Sequence, residues 1–543
     1  MKTAPLFNPI QRGIAGIAWL LLMKSMADAQ RSLQTGFLGW WAVFRGRKPV
    51  YKTFSSTGLY KHARQRIYLS FSLILWAAGT WTPDQLFIAA IWTSYCFAGV
   101  RLKDRRMARF NGVAYHAYQQ RAPFWRPRLL RNRHQALEQS QEAVDYDVCI
   151  TGAGPIGLLC ANLLGAQGVK VLVIEKRAQA PEQSMAIGIT PPSLKILQAV
   201  GLDQVFTQQG VPIRSAHVHT GKGLLGRLDF SDIPSAFPYI LSLPQSETIR
   251  LLRDRLKACP NVELRYRAEL IGLEQHPGAV TLTIQHQGER EQRSAAFMIG
   301  CDGAKGITRK LIQMPTVQKQ YRPRFLMADY PDHTDLGPRA HLFFTSRGSV
   351  ESFPLPGQKR RWIVLARREE SDERIQLARQ VETLAGISLT ELTPDFESAF
   401  RAQRHCARSF FRGRVLLCGD AAHTMSPIGG QGMNTGFADV ELLAQILPRL
   451  LADPGEAGSL LPVYDRVRRK AFNVAANRAA RGMWLGTRTG YLLSALREKL
   501  IHDLLAHPGR NRKVSAYFAM LTIPYRSASL VQMPTTKSNR QKP

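Results

Sequence analysis

The sequence predicts an α/β protein with a β-rich middle, preceded by an α-helical module and followed by C-terminal helices. Three observations predict it. A strand, a glycine-rich turn, a helix and a second strand ending in an acid succeed one another between Tyr146 and Glu175. Alternation at Val280, Leu282 and Ile284, and again in Leu342–Thr345 and Trp362–Leu365, marks strands that bury one face. Two uncharged runs, Ile67–Trp81 and Leu86–Val100, are separated by only four residues and read as a helical hairpin. The 543 residues amount to roughly two to four domains at about 150 residues each. With 45% hydrophobic and 21% charged residues, wholesale disorder, collagen-like repeats and a polytopic transporter are excluded.

The N-terminal quarter is the most basic. Of the net +33, +18 falls between Met1 and His134, where 21 basic residues face only Asp28, Asp84 and Asp104. Such an excess suits nucleic acid or an anionic membrane surface, and the apolar hairpin decides for the membrane, with lipid as partner and no nucleic acid. Each arm has fifteen residues. That is about 22 Å of helix, short of a hydrocarbon core of about 30 Å but extendable by snorkelling Lys and Arg. Lys61, Arg64 and Arg66 before the hairpin, and Arg101, Lys103, Arg105, Arg106 and Arg109 after it, place both ends and the downstream catalytic domain on the cytoplasmic side. The expectation is a membrane-associated module over 1–127 with its hairpin at 67–100, then a polar linker at 128–144. Ile14–Met23 and Gly36–Phe44 read as surface-lying, and no cleavable signal peptide is evident.

Tyr146–Ile150 feeds directly into Gly152-Ala153-Gly154-Pro155-Ile156-Gly157, followed by a helix over Leu158–Gln167. Gly152 permits the tight turn, Gly154 lets the backbone approach a pyrophosphate, and Gly157 lets the helix pack on the strand. The phosphate then meets a helix N-terminus. The second strand, Val169–Ile174, ends in Glu175, whose carboxylate can bind both ribose hydroxyls, with Lys176 beside it. A Rossmann-like dinucleotide site follows.

Two later motifs decide which dinucleotide. Phe297–Ile299 leads to Gly300-Cys301-Asp302-Gly303 and on to Arg309; Val415–Leu417 leads to Gly419-Asp420, His423, Pro427, Gly429-Gly430-Gln431-Gly432-Met433-Asn434 and Asp439. In this order and spacing, over about Tyr146–Ala475, the motifs resemble the FAD-dependent aromatic-hydroxylase family, the single-component flavoprotein monooxygenases typified by para-hydroxybenzoate hydroxylase. The resemblance implies FAD as cofactor and NAD(P)H as co-substrate, held without a second nucleotide fold. It implies oxygen addition at flavin C4a, giving a hydroperoxide that transfers one oxygen atom to a lipophilic, electron-rich substrate. By the same resemblance Pro427, Gly430 and Gly432 form the loop where oxygen reacts. Asp302 and Gly303 contact FAD and NAD(P)H, Asp420 and Gly419 hold the ribityl end, Met433 and Asn434 open a helix aimed at the flavin, and Gln245 lies near it. Residues 145–475 form the FAD-binding and substrate domains, the latter about 211–243 and 321–401. His423 reads as structural. Where many members have Ser-Arg-Ala-x-Gly, this chain has Ser184-Met185-Ala186-Ile187-Gly188, without the arginine.

A second resemblance covers Thr57–Tyr68 and Arg101–Tyr118, which look like the isoprenylcysteine carboxyl methyltransferase family. Its Arg-His-Pro appears here as Arg64-Gln65-Arg66 and its Glu-Glu as Lys103-Asp104, the mark of a degenerate membrane module. A flavin dehydrogenase on the same fold, and methyl transfer by the N-terminal module, are the alternatives. The halogenase motif Trp-x-Trp-x-Ile does not occur.

Seven scattered cysteines without C-x-x-C argue against a disulfide framework or a zinc site. His217 and His219 share one face of a strand, and the sequence places no third ligand near them, so no metal is expected. The Arg-rich segment over 476–531, with Trp484, Leu496 and Leu500, reads as helices packed over the catalytic domain, and 532–543 as a disordered tail.

Overall fold

The computed structural model describes residues 7–28, 44, 66–77, 82–96, 99, 103, 144–180, 186–366, 373–426, 430–487 and 490–523. The chain divides into two compact units, Met1–Gln139 and Ser140–Pro543. The linker over 128–143, the tail over 532–543 and most of the methyltransferase-like motifs lie outside the described residues.

In the first unit the helices Phe7–Asp28, Arg66–Trp76 and 83–96 are formed. The last begins with a capping box: Thr82 N–H donates to Gln85 Oε1, and Gln85 N–H to Thr82 Oγ1. Trp76 Nε1 donates to Thr93 Oγ1 at 2.8 Å, so the two apolar runs do fold back on each other as a hairpin.

The expectation that this hairpin attaches the protein to a membrane, with the catalytic domain on the cytoplasmic side, is overturned. Among the described residues no helix is long and apolar enough to cross a membrane. For the first arm the physical reason is length: Arg66–Trp76 has 11 residues and reaches only about 17 Å against a core of about 30 Å. Phe7–Asp28 is longer but carries Arg12, Lys24 and Asp28.

The second unit is built on two large sheets. In the first, Val415–Leu417, Glu289–Gly300, Tyr146–Thr151, Val171–Glu175 and Val262–Tyr266 lie side by side and parallel. Val148, Cys149, Ile150 and Val171–Ile174 are buried on both faces, which is why these strands read as continuous apolar runs. The helices Pro155–Gly165, Gln245–Leu256 and Gln431–Ala452 cover this sheet, and Asn162 Nδ2 pins the first to the second through Leu252 O. The second sheet has eight strands and mixes two distant stretches of chain: Ser215–Asp229 as a hairpin, and five strands between Thr316 and Ala407, with His423–Thr424 at one edge. Helix Glu373–Ala385 packs on one face against Phe343, Trp362 and Val364, while Pro508–Phe518 packs on the other against Ala216, Leu228 and Ala340. Arg361 spans to Asp329 with two bonds of 2.6 and 2.7 Å, locking neighbouring strands with a bidentate pair. A three-stranded sheet, Gly188–Ile189, Ile240–Ser242 and Val211–Ile213, adjoins both cores, and Ser242 Oγ donates to Pro354 O at 2.6 Å.

The C-terminal helices depart from expectation in which residues they bury. Helix Ala457–Gly486 runs unbroken through residue 475 and buries Leu460, Tyr464, Phe472, Ala475 and Met483. Trp484, Leu496 and Leu500 are 54%, 67% and 51% exposed instead of packed on the domain.

Candidate functional site

Four adjacent parallel strands end at one rim. Tyr146–Thr151 runs into Gly152, Val171–Glu175 ends on Glu175, Glu289–Gly300 leads to Asp302 and Gly303, and Val415–Leu417 leads to Gly419 and Asp420. Backbone bonds tie these ends together: Gly152 N–H to Ile174 O, Cys301 N–H to Thr151 O, and Cys418 N–H to Gly300 O, at 2.7, 2.8 and 3.0 Å. The carboxyl ends of strands where the order reverses are the ligand-binding edge of an open α/β sheet.

The glycines divide into two groups. A Cβ at Gly157 would stand 1.9 Å from Gly152 O, and one at Gly152, whose φ is +97°, would stand 2.5 Å from Cys301 O. These positions let three backbone segments touch. At Gly154, Gly303 and Gly432 an added Cβ would meet nothing within 4 Å, so their backbone faces open space. Pro155 occupies the first helical turn, where its missing N–H costs nothing. Ile156 fills the gap beneath Gly419 and Gly436, spacing the helix from the second motif.

Glu175 is buried and fixed from both sides: Ala153 N–H donates to Oε2 at 2.9 Å and Arg177 N–H to Oε1 at 3.0 Å. Lys176 beside it is exposed. Asp302 Oδ2 accepts from Thr308 N–H and Oγ, both at 2.8 Å, while Oδ1 is buried with no partner among the described residues. Arg309 donates to Ala421 O and Ala304 O, fastening the Asp302-Gly303 turn to the Gly419 motif. Asp420 keeps accessible surface yet is ringed by protein, the position of a cleft wall; desolvation raises its pKa and His423 opposes the rise.

Helix Gln431–Ala452 starts from Gly430 in the left-handed region, φ +63°, and turns its first amides, with Gly432 and Met433, outward from a partial positive terminus. The Asn434 side chain is fully used by protein. Its Oδ1 accepts from Thr190 N–H and Oγ, and its Nδ2 donates to Gly188 O and Gly430 O. Only its backbone remains for a cofactor. Gln245 Oε1 accepts from Ala186 N–H at 3.2 Å, so Gln245 and Asn434 converge on the 186–190 segment. Pro427 and Met185 lie outside the described residues.

Beneath the second motif lies an ionic cluster whose partners sequence reasoning left unassigned. Asp439, fully buried, accepts from His423 Nε2 at 2.7 Å, Arg468 Nε at 2.7 Å and Gly419 N–H at 3.0 Å. Burial alone would raise its pKa; His423 and Arg468 outweigh that and lower it. The His423 ring also stacks on Phe472, with centroids 4.7 Å apart, so in this geometry it braces the loop. A signal for the cluster existed: Asp439 sits on the apolar face of an amphipathic helix, where a charge needs a buried partner.

These residues fit FAD. The open glycine faces allow close approach of a pyrophosphate and a ring edge, and the donor and acceptor set matches the nucleotide's hydroxyls. Asp302 Oδ1 supplies a buried acceptor still to be used.

A family model described as an FAD binding domain matches residues 145–479. The chain is 29% identical over 382 residues to a 3-(3-hydroxy-phenyl)propionate/3-hydroxycinnamic acid hydroxylase of Mycolicibacterium gilvum, covering 69% of this chain and 66% of that protein. It is likewise 29% identical over 397 residues to the 12-dehydrotetracycline 5-monooxygenase/anhydrotetracycline 6-monooxygenase of Streptomyces rimosus, covering 70% of this chain and 77% of that one. Among solved structures, the anhydrotetracycline hydroxylase from Streptomyces rimosus superposes with a TM-score of 0.60 at 29% identity, over 70% of this chain and 77% of its own. The matched region spans just under two thirds of the Mycolicibacterium hydroxylase.

Proposed function

The chain belongs to the FAD binding domain family, and from that membership we propose that it is an NAD(P)H- and O2-dependent FAD monooxygenase. Its substrate is an apolar aromatic, polyketide-like or quinone-like molecule that gains one oxygen atom. The observation that carries this reading is the meeting of the Gly152, Asp302 and Gly419 turns at one rim of the parallel sheet.

Gly152, Gly154 and the N-terminus of helix Pro155–Gly165 would hold the pyrophosphate. Glu175, already oriented by two backbone amides, keeps lone pairs for ribose hydroxyls. Asp420 would take the ribityl chain, and the start of helix Gln431–Ala452 would place its partial positive charge at the pyrimidine end of the flavin. Bound there, FAD supplies the redox chemistry, accepting a hydride from NAD(P)H and delivering one atom of O2 to the substrate while the other leaves as water. The second large sheet, built from Ser215–Asp229 and the strands between Thr316 and Ala407, would form the body of the substrate domain over about 211–243 and 321–401 and keep water from the reaction. The activities of the relatives, on hydroxyphenylpropionate and on anhydrotetracycline, support aromatic and polycyclic candidates.

The finer kinship we read is with single-component hydroxylases of the para-hydroxybenzoate type, in which reduction and oxygenation use one chain. The N-terminal likeness to a methyltransferase carries no assigned activity, since Gln65, Arg66 and Lys103 stand where that family's His, Pro and Glu are expected.

The test is to screen phenols and polycyclic aromatics for stimulated NADPH or NADH oxidation under ¹⁸O2. The expected result is a product heavier by one ¹⁸O atom. Flavin-containing protein that oxidises NAD(P)H but labels no product with any of them would count against an oxygenase.

A further inference from the structure

We propose that His217, His219 and His341 form a binding site for one late first-row divalent metal ion, such as Zn2+, with three imidazole ligands and one position open to solvent. His217 and His219 alternate on strand Ser215–Thr220, and the parallel strand Ala340–Thr345 sets His341 directly beside His217. One ligand nitrogen from each residue lies within 4.8 Å of the others. The alternation that turns Ala216 and Ala340 onto helix Pro508–Phe518 turns all three rings onto the opposite face.

The His341 ring is oriented as a ligand needs to be. His341 is buried, and its Nε2 lies 3.1 Å from Leu336 O, so that nitrogen carries the proton and Nδ1 presents a lone pair. An outer ring N–H given to a backbone carbonyl is the usual support of a metal-bound histidine. His341 Nδ1 stands 2.9 Å from His219 Nε2. Tetrahedral coordination at about 2.0–2.1 Å sets ligand nitrogens about 3.3 Å apart, so those two rings need part by only about 0.4 Å. Phe343 stacks on His219 at 4.6 Å and steadies its plane. His217 and His219 are half-buried, which leaves the fourth position to water.

The protonation state agrees. Burial, with the neighbouring histidines and Arg360, holds His341 down at about 4, and burial also lowers His217 and His219. Three neutral imidazoles at pH 7 are ready donors, and affinity for such a nitrogen set rises toward copper and zinc. Arg227 and Arg339 approach His217. Their charge opposes a bare dication and favours an anionic fourth ligand, hydroxide or chloride. Such an ion would clip together two strands more than 120 residues apart in sequence, as His219 and His341 are.

The test uses untagged full-length protein, dialysed against chelator and titrated with Zn2+ by calorimetry, and with Co2+ by visible spectroscopy. One equivalent of Zn2+ and the intense absorption of tetrahedral Co2+ are expected. Both should be lost in His341→Ala and His217→Ala and kept in His276→Ala. If His341→Ala loses its circular dichroism, His217→Ala, with its half-exposed ring, carries the result. Wild-type protein that takes up no stoichiometric ion, or variants that bind as it does, would overturn the site.

Discussion

Replacing Asp439 by Asn tests whether the second motif is held from below by charge. The carboxylate receives three hydrogen bonds, from His423, Arg468 and Gly419 N–H, at 2.7, 2.7 and 3.0 Å, and Arg468 and Asp439 are both fully buried. Asn preserves the shape, but its NH2 must face one of three donors, and Arg468 loses its counter-ion. Breaking a buried pair from one side costs about 3–5 kcal/mol, because the remaining charge stays desolvated. Gly419 N–H is the first amide of the Gly-Asp turn, so its loosening should also lower flavin retention about tenfold or more. Urea unfolding followed by circular dichroism, with released flavin quantified on the same samples, reads both effects. Replacing the pair together, as Asp439→Leu with Arg468→Met, should recover part of the stability, since no unpaired charge is left. An Asp439→Asn protein within about 1 kcal/mol of wild type and fully loaded with flavin would refute this reasoning.

Gly157→Ala places a methyl 1.9 Å from Gly152 O, in a contact made by backbone that has nowhere to move. The expected outcome is loss of FAD binding, read from the visible spectrum of the purified variant; normal flavin content would contradict the close-packing role. Glu351 lies among protein groups, and burial raises its pKa from 4.5 to about 7. The unfolded chain therefore ionises first, so wild-type stability falls as pH rises from 4.5 to about 7 and levels off above it. The loss is about 2–3 kcal/mol after allowance for its residual solvent contact. Glu351→Gln should remove that component, so the variant gains on wild type between pH 5 and pH 8 in urea midpoints. Parallel midpoints at the two pH values would rule the shift out.

The catalytic unit was legible because its signals are local. Gly152, Gly154 and Gly157 follow a strand and open a helix within a dozen residues; Gly152 and Gly157 each answer to a close backbone approach, and Gly154 to an open face. The same holds for the strand-to-turn steps at Asp302 and Asp420. What could not be read depends on contacts across long separations. His341 joins His217 and His219 only because a parallel strand brings it back, and no spacing rule in one dimension gives that neighbour. Arg468 meets Asp439 through a different helix. The membrane expectation failed for another reason: an uncharged run measures how far an apolar stretch could extend as helix, and in the first arm the helix Arg66–Trp76 is shorter than its run, while among the described residues no helix is long and apolar enough to cross a membrane. Likewise Trp484, Leu496 and Leu500 share an apolar pattern, yet the helices bury Tyr464, Phe472 and Met483 instead, because the packed face is chosen by the partner surface.

The most direct measurement is the molar ratio of FAD released by heat from purified full-length protein, after incubation with excess FAD and gel filtration. One FAD per chain, with the absorption bands of a bound flavin before release, is the expected result. Folded protein that emerges colourless and takes up no flavin would contradict the assignment of the rim formed by Gly152, Asp302 and Gly419.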